Sequence, residues 1–306
     1  MIVLTGPPFE WEVGTDTAVT IGVFDGVHIG HRRVISDLIV LAEASRLSPA
    51  IVTFDPHPLS ILAPERAPKM LTSVQQRVDQ FRQLGAEVAG VLDFPDIREL
   101  SAEQFCEDVL FRALHAKRVV VGADFRFGRD RGGDTVLLDR EGDRLGFEVS
   151  VVDLLGSLEG VVSSTRIRQL IGDGLVTEAA ALLGRPYELD GRVIEGDKRG
   201  QTIGFPTANI AITPDRQVPG RGVYAGKAKV GEDVFLAAIN VGTRPTFDGL
   251  GTTIEAHLLD YSGDLYGRLI AVDFRARLRE EIRFDGVEAL IRQIGLDVGR
   301  VREVLN

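Results

Sequence analysis

Two histidines three residues apart, bracketed by glycines, are the first residues of this chain whose types and spacing could do chemistry. They lie in Gly22-Val23-Phe24-Asp25-Gly26-Val27-His28-Ile29-Gly30-His31, where a strand-like run gives way to a helical one. In open α/β sheets, ligands bind outside the carboxyl ends of strands, and phosphates favour the free N–H groups of helix N-termini. Gly26 and Gly30 allow the backbone to approach a ligand closely, and His28 and His31 can donate hydrogen bonds to phosphoryl oxygens. The motif holds no acidic nucleophile, which suits direct attack by a bound acceptor on a nucleotide α-phosphate. The bland alternative is a helix start capped and packed by two histidines. One histidine alone would favour it; two between glycines at a strand–helix junction favour the phosphate site.

Three further segments follow apolar runs in the same way: Thr53-Phe54-Asp55-Pro56-His57-Pro58, Gly122-Ala123-Asp124-Phe125-Arg126-Phe127-Gly128 and Ser163-Ser164-Thr165-Arg166-Ile167-Arg168. In the last, hydroxyls can cap a first helical turn and arginine can pair with phosphate. Phe54, Phe125 and Phe127 offer rings that could stack on a planar ligand, with ordinary core packing as the alternative for the last two.

The second half carries a different constellation. A basic glycine-bearing loop, Gly196-Asp197-Lys198-Arg199-Gly200-Gln201-Thr202-Ile203-Gly204, runs into Phe205-Pro206-Thr207-Ala208-Asn209. Loop N–H groups can cradle phosphates, and the Thr207 hydroxyl and Asn209 amide oxygen are hard ligands suited to Mg²⁺. In Thr253-Ile254-Glu255-Ala256-His257, strand alternation puts Glu255 and His257 on one face. A carboxylate facing a nucleotide loop is a candidate general base for a hydroxyl nucleophile. A surface hairpin with solubilising charges is the alternative. Gly222-Val223-Tyr224-Ala225-Gly226-Lys227-Ala228 imitates a P-loop, but it is one residue short, ends in Ala and lies in a strand context, so it is rejected as one.

The elements that must position these residues change rhythm along the chain. Strand-like runs at 18–24, 50–54, 88–92, 118–121 and 146–152 alternate with helical stretches at 31–46, 73–84 and 102–115, which predicts a doubly wound parallel sheet. Beyond it, runs at 188–194, 222–230, 234–241, 252–259 and 269–277 are short, Val/Ile/Ala-rich and separated by glycine or proline turns. They predict a small antiparallel β-barrel, closed by a helix at 287–304. The boundary is expected at Gly184-Arg185-Pro186, giving domains 1–184 and 185–306.

Composition agrees with two domains and excludes several classes. The 306 residues carry a net charge of −10, divided as −9 over residues 1–184 and −1 over 185–306. Such a balance argues against an extended nucleic-acid surface. No apolar run approaches the roughly 20 residues of a membrane span, and the first residues lack the basic region of a signal peptide. The single cysteine, Cys106, excludes an internal disulfide framework and reads as structural. His115 reads as a cap or surface residue and Trp11 as a packing anchor. A cytoplasmic protein without nucleic-acid or membrane partners is the expectation.

The set of motifs resembles the bacterial bifunctional riboflavin kinase/FAD synthetase family. The N-terminal segments are similar to its nucleotidyltransferase module. Gly204 through Asn209, Gly222 through Gly226, Asn240-Val241-Gly242-Thr243-Arg244-Pro245-Thr246-Phe247, Asp264-Leu265-Tyr266-Gly267 and Arg279 through Asp285 are similar to its kinase module. The resemblance implies that riboflavin is phosphorylated to FMN with Mg²⁺ and ATP, and that AMP is then transferred from ATP to FMN, giving FAD and pyrophosphate. By position it implies that His28 and His31 stabilise the triphosphate in the transition state and that His57 binds phosphate. It gives Ser164, Thr165 and Arg168 to the nucleotide and pyrophosphate. It places Phe54, Asp124, Phe125 and Phe127 at the nucleotide and flavin pocket. On the kinase side it implies nucleotide contacts at Gly200 and Gly204, Mg²⁺ on Thr207 and Asn209, flavin contact by Arg279, and Glu255 as base. One departure is Gln201, where the family often has Arg; Lys198 and Arg199 are close enough in sequence to compensate. Two rivals stay open: an adenylyltransferase with another acceptor, such as phosphopantetheine or nicotinamide mononucleotide, and a flavin-binding regulator with decayed catalytic halves. Self-association also stays open.

Overall fold

The structure is a computed structural model that describes residues 1–152, 162–196, 199–246 and 249–306, without the side chains of residues 199, 201, 244–246 and 249–251. Lys198, and the side chains of Arg199 and Gln201, therefore lie outside the described residues. Contacts divide the chain into two compact units, Met1–Ser164 and Thr165–Asn306.

The first unit is built on six parallel strands: β1 (Ile2–Leu4), β2 (Thr17–Ile21), β3 (Ser48–Phe54), β4 (Val88–Leu92), β5 (Ala116–Gly122) and β6 (Glu148–Val152). They lie in the order β1-β4-β3-β2-β5-β6. Alternation along the strands feeds two cores. Val19, Ile21, Ala50 and Val52 point into one with residues 102–113. Ala18 and Ile51 point into the other, where Val34, Ile35, Leu38 and Ala42 of helix Ile29–Ser45 meet Val78 and Phe81. That helix recurs to the sheet at helical spacing, as the sequence leads one to expect. Strand order reverses at β2: the chain runs from β2 through β3 to β4 on one side, then returns to β5 on the other. The crevice outside the carboxyl ends of β2 and β5 is the switch point where such sheets bind ligands.

The second unit is a closed antiparallel barrel of β7 (Tyr187–Ile194), β8 (Ala208–Ala211), β9 (Gly222–Val230), β10 (Asp233–Thr246), β11 (Gly249–Leu258) and β12 (Leu269–Arg279), ordered β10-β11-β8-β7-β12-β9. Closure leaves no unpaired edge. Helix Val287–Leu305 packs on β9, β10 and β12.

Three local features differ from the sequence reading. Strand β1, three residues at the sheet edge, is too short to show a period. Ala208–Ala211, which none of the strand-like runs includes, is a strand because both β7 and β11 supply partners for it. The first predicted strand ends at Ile21 rather than Phe24, which frees residues 22–28 as a loop.

Leu38 is fully buried where the helix that begins after His28 meets the sheet. Leu38→Ala is expected to destabilise the N-terminal unit by about 3 kcal/mol, measured by denaturant unfolding. A loss under about 1 kcal/mol would mean that this helix is not anchored there.

Candidate active sites

The loop leaving β2 is bent by an unusual run of backbone angles. Phe24, Gly26 and Val27 all have positive φ, at 49°, 85° and 41°. Left-handed backbone is costly for residues with a Cβ, so Phe24 and Val27 need outside support. Asp25 supplies much of it. Its carboxylate is buried and accepts from the Leu71 N–H (2.9 Å), the Thr72 N–H (3.1 Å) and the Thr72 hydroxyl (3.2 Å). Turned inward in this way, Asp25 is a structural acceptor, in keeping with a motif that has no acidic nucleophile.

Beyond the bend, His28 caps helix Ile29–Ser45: its Nδ1 accepts from the His31 N–H at 3.3 Å. With Nδ1 accepting, the neutral ring carries its proton on Nε2, which is then a donor. The His28 and His31 rings stack with centroids 3.6 Å apart. A Cβ on Gly30 would lie 3.3 Å from the His28 ring, which is why glycine suits this position. Burial, and secondarily the neighbouring His28, hold the His31 imidazole well below its ordinary pKa. The result is a stacked pair at a helix N-terminus beside the switch point.

The loops after β3 and β5 flank this pair. His57 Nδ1 accepts from the Leu59 N–H at 3.0 Å and caps helix Pro58–Leu62, so its proton too sits on Nε2. Phe54 is half-buried against Phe94, Asp124 is exposed, and Phe125 is half-buried. Phe127 departs from the expectation of a ligand-facing ring. It belongs to the hydrophobic core, packed against Phe105 and stacked on Phe125 with centroids 5.3 Å apart, so Phe125 takes the outer place. Ser164 donates to the Asp25 carbonyl at 2.9 Å. Thr165 and Arg168 lie on helix Ser164–Gly172, among residues that group with the second unit.

In the barrel, strand register assembles a second site. Asn209 pairs with Glu255, Glu255 with Asn240, Asn240 with Val223, and Val223 with Arg279. Directly opposed residues of antiparallel strands share a face, so these five form one row across β8, β11, β10, β9 and β12. All five line a cavity of about 340 Å³, with Gly200, Thr207 and His257 also on its wall. His257 Nδ1 lies 2.8 Å from the Pro206 carbonyl, tying β11 to the loop before β8. A Cβ on Gly200 would sit 2.3 Å from the Phe205 carbonyl, so the loop can close only around glycine. Gly204 takes φ +85° at the following bend and does not reach the wall. Ile203, Phe205, Ile282, Phe284, Leu290 and Ile294 add an apolar stretch to the wall, beside Glu281 and Asp297.

Arg279 is on the wall, but its guanidinium is engaged. Nε and Nη2 donate to the buried Asp297 carboxylate at 3.0 and 2.7 Å, and Nη1 donates to the Glu280 carbonyl. It thus fastens the C-terminal helix to β12 while its side chain lines the cavity.

Comparison with known proteins decides the family. Residues 11–166 match the FAD synthetase family and residues 183–305 the riboflavin kinase family. The bifunctional riboflavin kinase/FMN adenylyltransferase of Escherichia coli K12 is 38% identical over 93% of this chain and 91% of its own length. That of Bacillus subtilis is 37% identical over 92% and 90%. The chain belongs to the bifunctional riboflavin kinase/FMN adenylyltransferase family. It is an enzyme with an N-terminal FAD synthetase domain and a C-terminal riboflavin kinase domain, and riboflavin, FMN and FAD are its substrates and products. A crystal structure described as a macrolide-efflux protein from Streptococcus pneumoniae shares the fold, with TM-score 0.89, 31% identity and 99% of each chain covered. Efflux is said of that protein. Among the described residues here, no helix is long and apolar enough to cross a membrane.

Within this family frame, two site residues escaped the sequence reading of roles. Asn240 neighbours Glu255 in register, and Glu281 lines the same cavity. Asn240 sits two strand positions from Ala238, another wall residue, so alternation on 234–241 was a usable signal. Glu281 follows the strand end, so its signal is its place in the Arg279–Asp285 segment rather than strand alternation. The weaker residues fall as expected. Trp11 is buried and donates to the Thr5 and Gly6 carbonyls, His115 is exposed, and the Cys106 thiol is buried and pushed up to about 12 by desolvation.

Two outcomes follow from these geometries. Removing the Asp297 partner of Arg279 leaves a mostly buried charge unpaired, so Asp297→Ala should cost the barrel about 3 kcal/mol in denaturant unfolding. At the histidine pair, the lowered His31 pKa means that the unfolded chain binds more protons below its own imidazole pKa of about 6.5. Stability is therefore intact above that pH and declines as pH falls below it. The thermal midpoint of the N-terminal unit should drop between about pH 7.5 and about pH 5.5, and His31→Gln should shrink the drop. An identical drop in the variant would contradict burial of a neutral His31.

Proposed function

We propose that each half runs on ATP with Mg²⁺, and that the residues assembled above carry the two steps. In the barrel, Glu255 takes the proton of the riboflavin 5′-hydroxyl as that oxygen attacks the γ-phosphorus of ATP and ADP departs. A positioned base of this kind is worth about 10²–10⁴-fold. The observation that carries this reading is the register row that sets Asn209, Glu255 and Asn240 side by side on one cavity wall. The neutral oxygens of Thr207 and Asn209 suit Mg²⁺, which keeps several waters and takes further ligands from nucleotide phosphates. Magnesium bound there would neutralise phosphate charge. Gly200 and Gly204 shape the loop for the nucleotide, and the apolar wall beside the Arg279 stem suits the flavin ring.

In the N-terminal half, an FMN phosphate oxygen attacks the α-phosphorus of ATP and pyrophosphate leaves. Nε2–H of His28 and the neutral His31 donate to the phosphoryl oxygens, an effect typically worth about 10²–10³ per donor. Gly26 and Gly30 admit the triphosphate close to the backbone. His57, Ser164, Thr165 and Arg168 are assigned to the nucleotide and leaving pyrophosphate. Phe54, Asp124 and Phe125 border the flavin side, with Phe127 supporting Phe125 from the core. The functional division is proposed at 1–184 and 185–306; family matches that stop at 166 and resume at 183 support a break in this region. The partners in this reading are small molecules alone, and a cytoplasmic location gives access to ATP.

Chromatography of riboflavin incubated with the protein, ATP and Mg²⁺ should show FMN and then FAD. His28→Ala should lower FAD formation at least about 10²-fold while FMN still accumulates. Glu255→Gln should lower riboflavin phosphorylation by about 10²-fold or more while added FMN is still converted to FAD. Loss of both activities in each folded variant would contradict this division of roles.

A further inference from the structure

The phosphate loop of the N-terminal unit is held from one side by a single stretch of chain, residues 71–77. Its first part clasps the bend. The Leu71 and Thr72 N–H groups and the Thr72 hydroxyl donate to Asp25, and the same hydroxyl accepts from the Gly26 N–H at 2.9 Å. Its second part grips the strand end. Arg77, one turn into helix Val74–Gln83, is 1% exposed, and its Nη1 donates to the Val23 carbonyl at 2.9 Å and the Thr53 hydroxyl at 2.6 Å. The Thr53 hydroxyl in turn donates to the same Val23 carbonyl at 2.8 Å. Ser73 and Gln76 form a capping box that fixes where this helix begins. Arg32 adds a third tie, from Val27 to Gln80 of the same helix.

These contacts secure residues 23, 25, 26 and 27, the segment that contains the positive-φ Phe24, Gly26 and Val27 and ends one residue before His28. A buried guanidinium and a buried carboxylate are expensive groups to place around a loop unless the loop's shape matters. We infer that Thr72, Thr53 and Arg77 are positioning residues of the adenylyl-transfer site, acting through the loop to hold the His28–His31 pair in its stacked geometry. The inference rests on the reading of that pair as the group that stabilises the transferring phosphate. None of the three needs to touch substrate. Their effect belongs to the transition state, where a misplacement of about 1 Å can cost about 10²-fold.

The test uses the full chain with FMN, ATP and Mg²⁺, and follows FAD formation at steady state. Thr72→Val keeps shape and removes the hydroxyl; Thr72→Ser keeps the hydroxyl and removes only a methyl group. The expected result is a fall in kcat of about 10- to 100-fold for Thr72→Val, with KM for ATP and FMN changed less than about threefold, and near wild-type kcat for Thr72→Ser. Riboflavin phosphorylation by the same preparation should stay at the wild-type rate. Should Thr72→Val fail to fold, Thr53→Val against Thr53→Ser tests the second grip in the same way. Wild-type kcat in a folded valine variant, or equal losses in the valine and serine variants, overturns the inference while leaving the functional reading standing. A wild-type chain that forms no FAD from FMN overturns that reading and the inference with it.

Discussion

The buried carboxylate of Asp25 is the constraint on which the N-terminal site depends. A loop with three left-handed residues in four positions is not stable on its own backbone preferences. Asp25 compensates by accepting backbone and hydroxyl hydrogen bonds from Leu71 and Thr72, 46 and 47 residues further along the chain. Once the bend is fixed, His28 falls at the N-cap, its Nδ1 meets the His31 N–H, and the free end of the helix faces the switch point of the sheet. Parallel strands, a reversing strand order and a strained turn are thus successive layers of one device: they set two stacked imidazoles at one helix terminus.

The barrel solves a similar problem by register instead of strain. Its candidate residues come from five strands whose pairing leaves no freedom to slip, because a shift of one residue would turn every wall side chain to the other face. Closure removes the edge at which slippage usually starts, and the Arg279–Asp297 pair ties the C-terminal helix to the same wall. Here precision comes from many ordinary hydrogen bonds. In the N-terminal loop it comes from a few buried polar ones.

Much of this was legible before any coordinates. The alternation of strand and helix periods gave the doubly wound sheet, and the shorter turn-separated runs gave the barrel, because both rest on local periodicity. The chemistry-bearing residues stood out where several types coincided, as at His28 and His31 or at Glu255 and His257. What escaped were features that depend on distant partners. Residues 208–211 are too short a run to read as a strand until β7 and β11 are present to pair with them. Phe127 looks like a rim aromatic because its motif neighbours are, yet Phe105 draws it into the core. Arg279 lines the cavity, but its pairing with Asp297, eighteen positions later, is not announced by the sequence. Asp25 and Arg77 are the extreme case. Nothing near either in sequence announces that their partners are one another's neighbourhoods.

This support fixes His28 in a single orientation with Nδ1 accepting from the His31 N–H. Nitrogen-15 NMR of the histidine side chains in the wild-type chain at about pH 7.5, above the ordinary imidazole pKa, measures this directly. His28 should show one tautomer, with Nδ1 unprotonated and Nε2 carrying the proton. A His28 protonated on Nδ1, or one averaging between both tautomers as a mobile imidazole does, would contradict it.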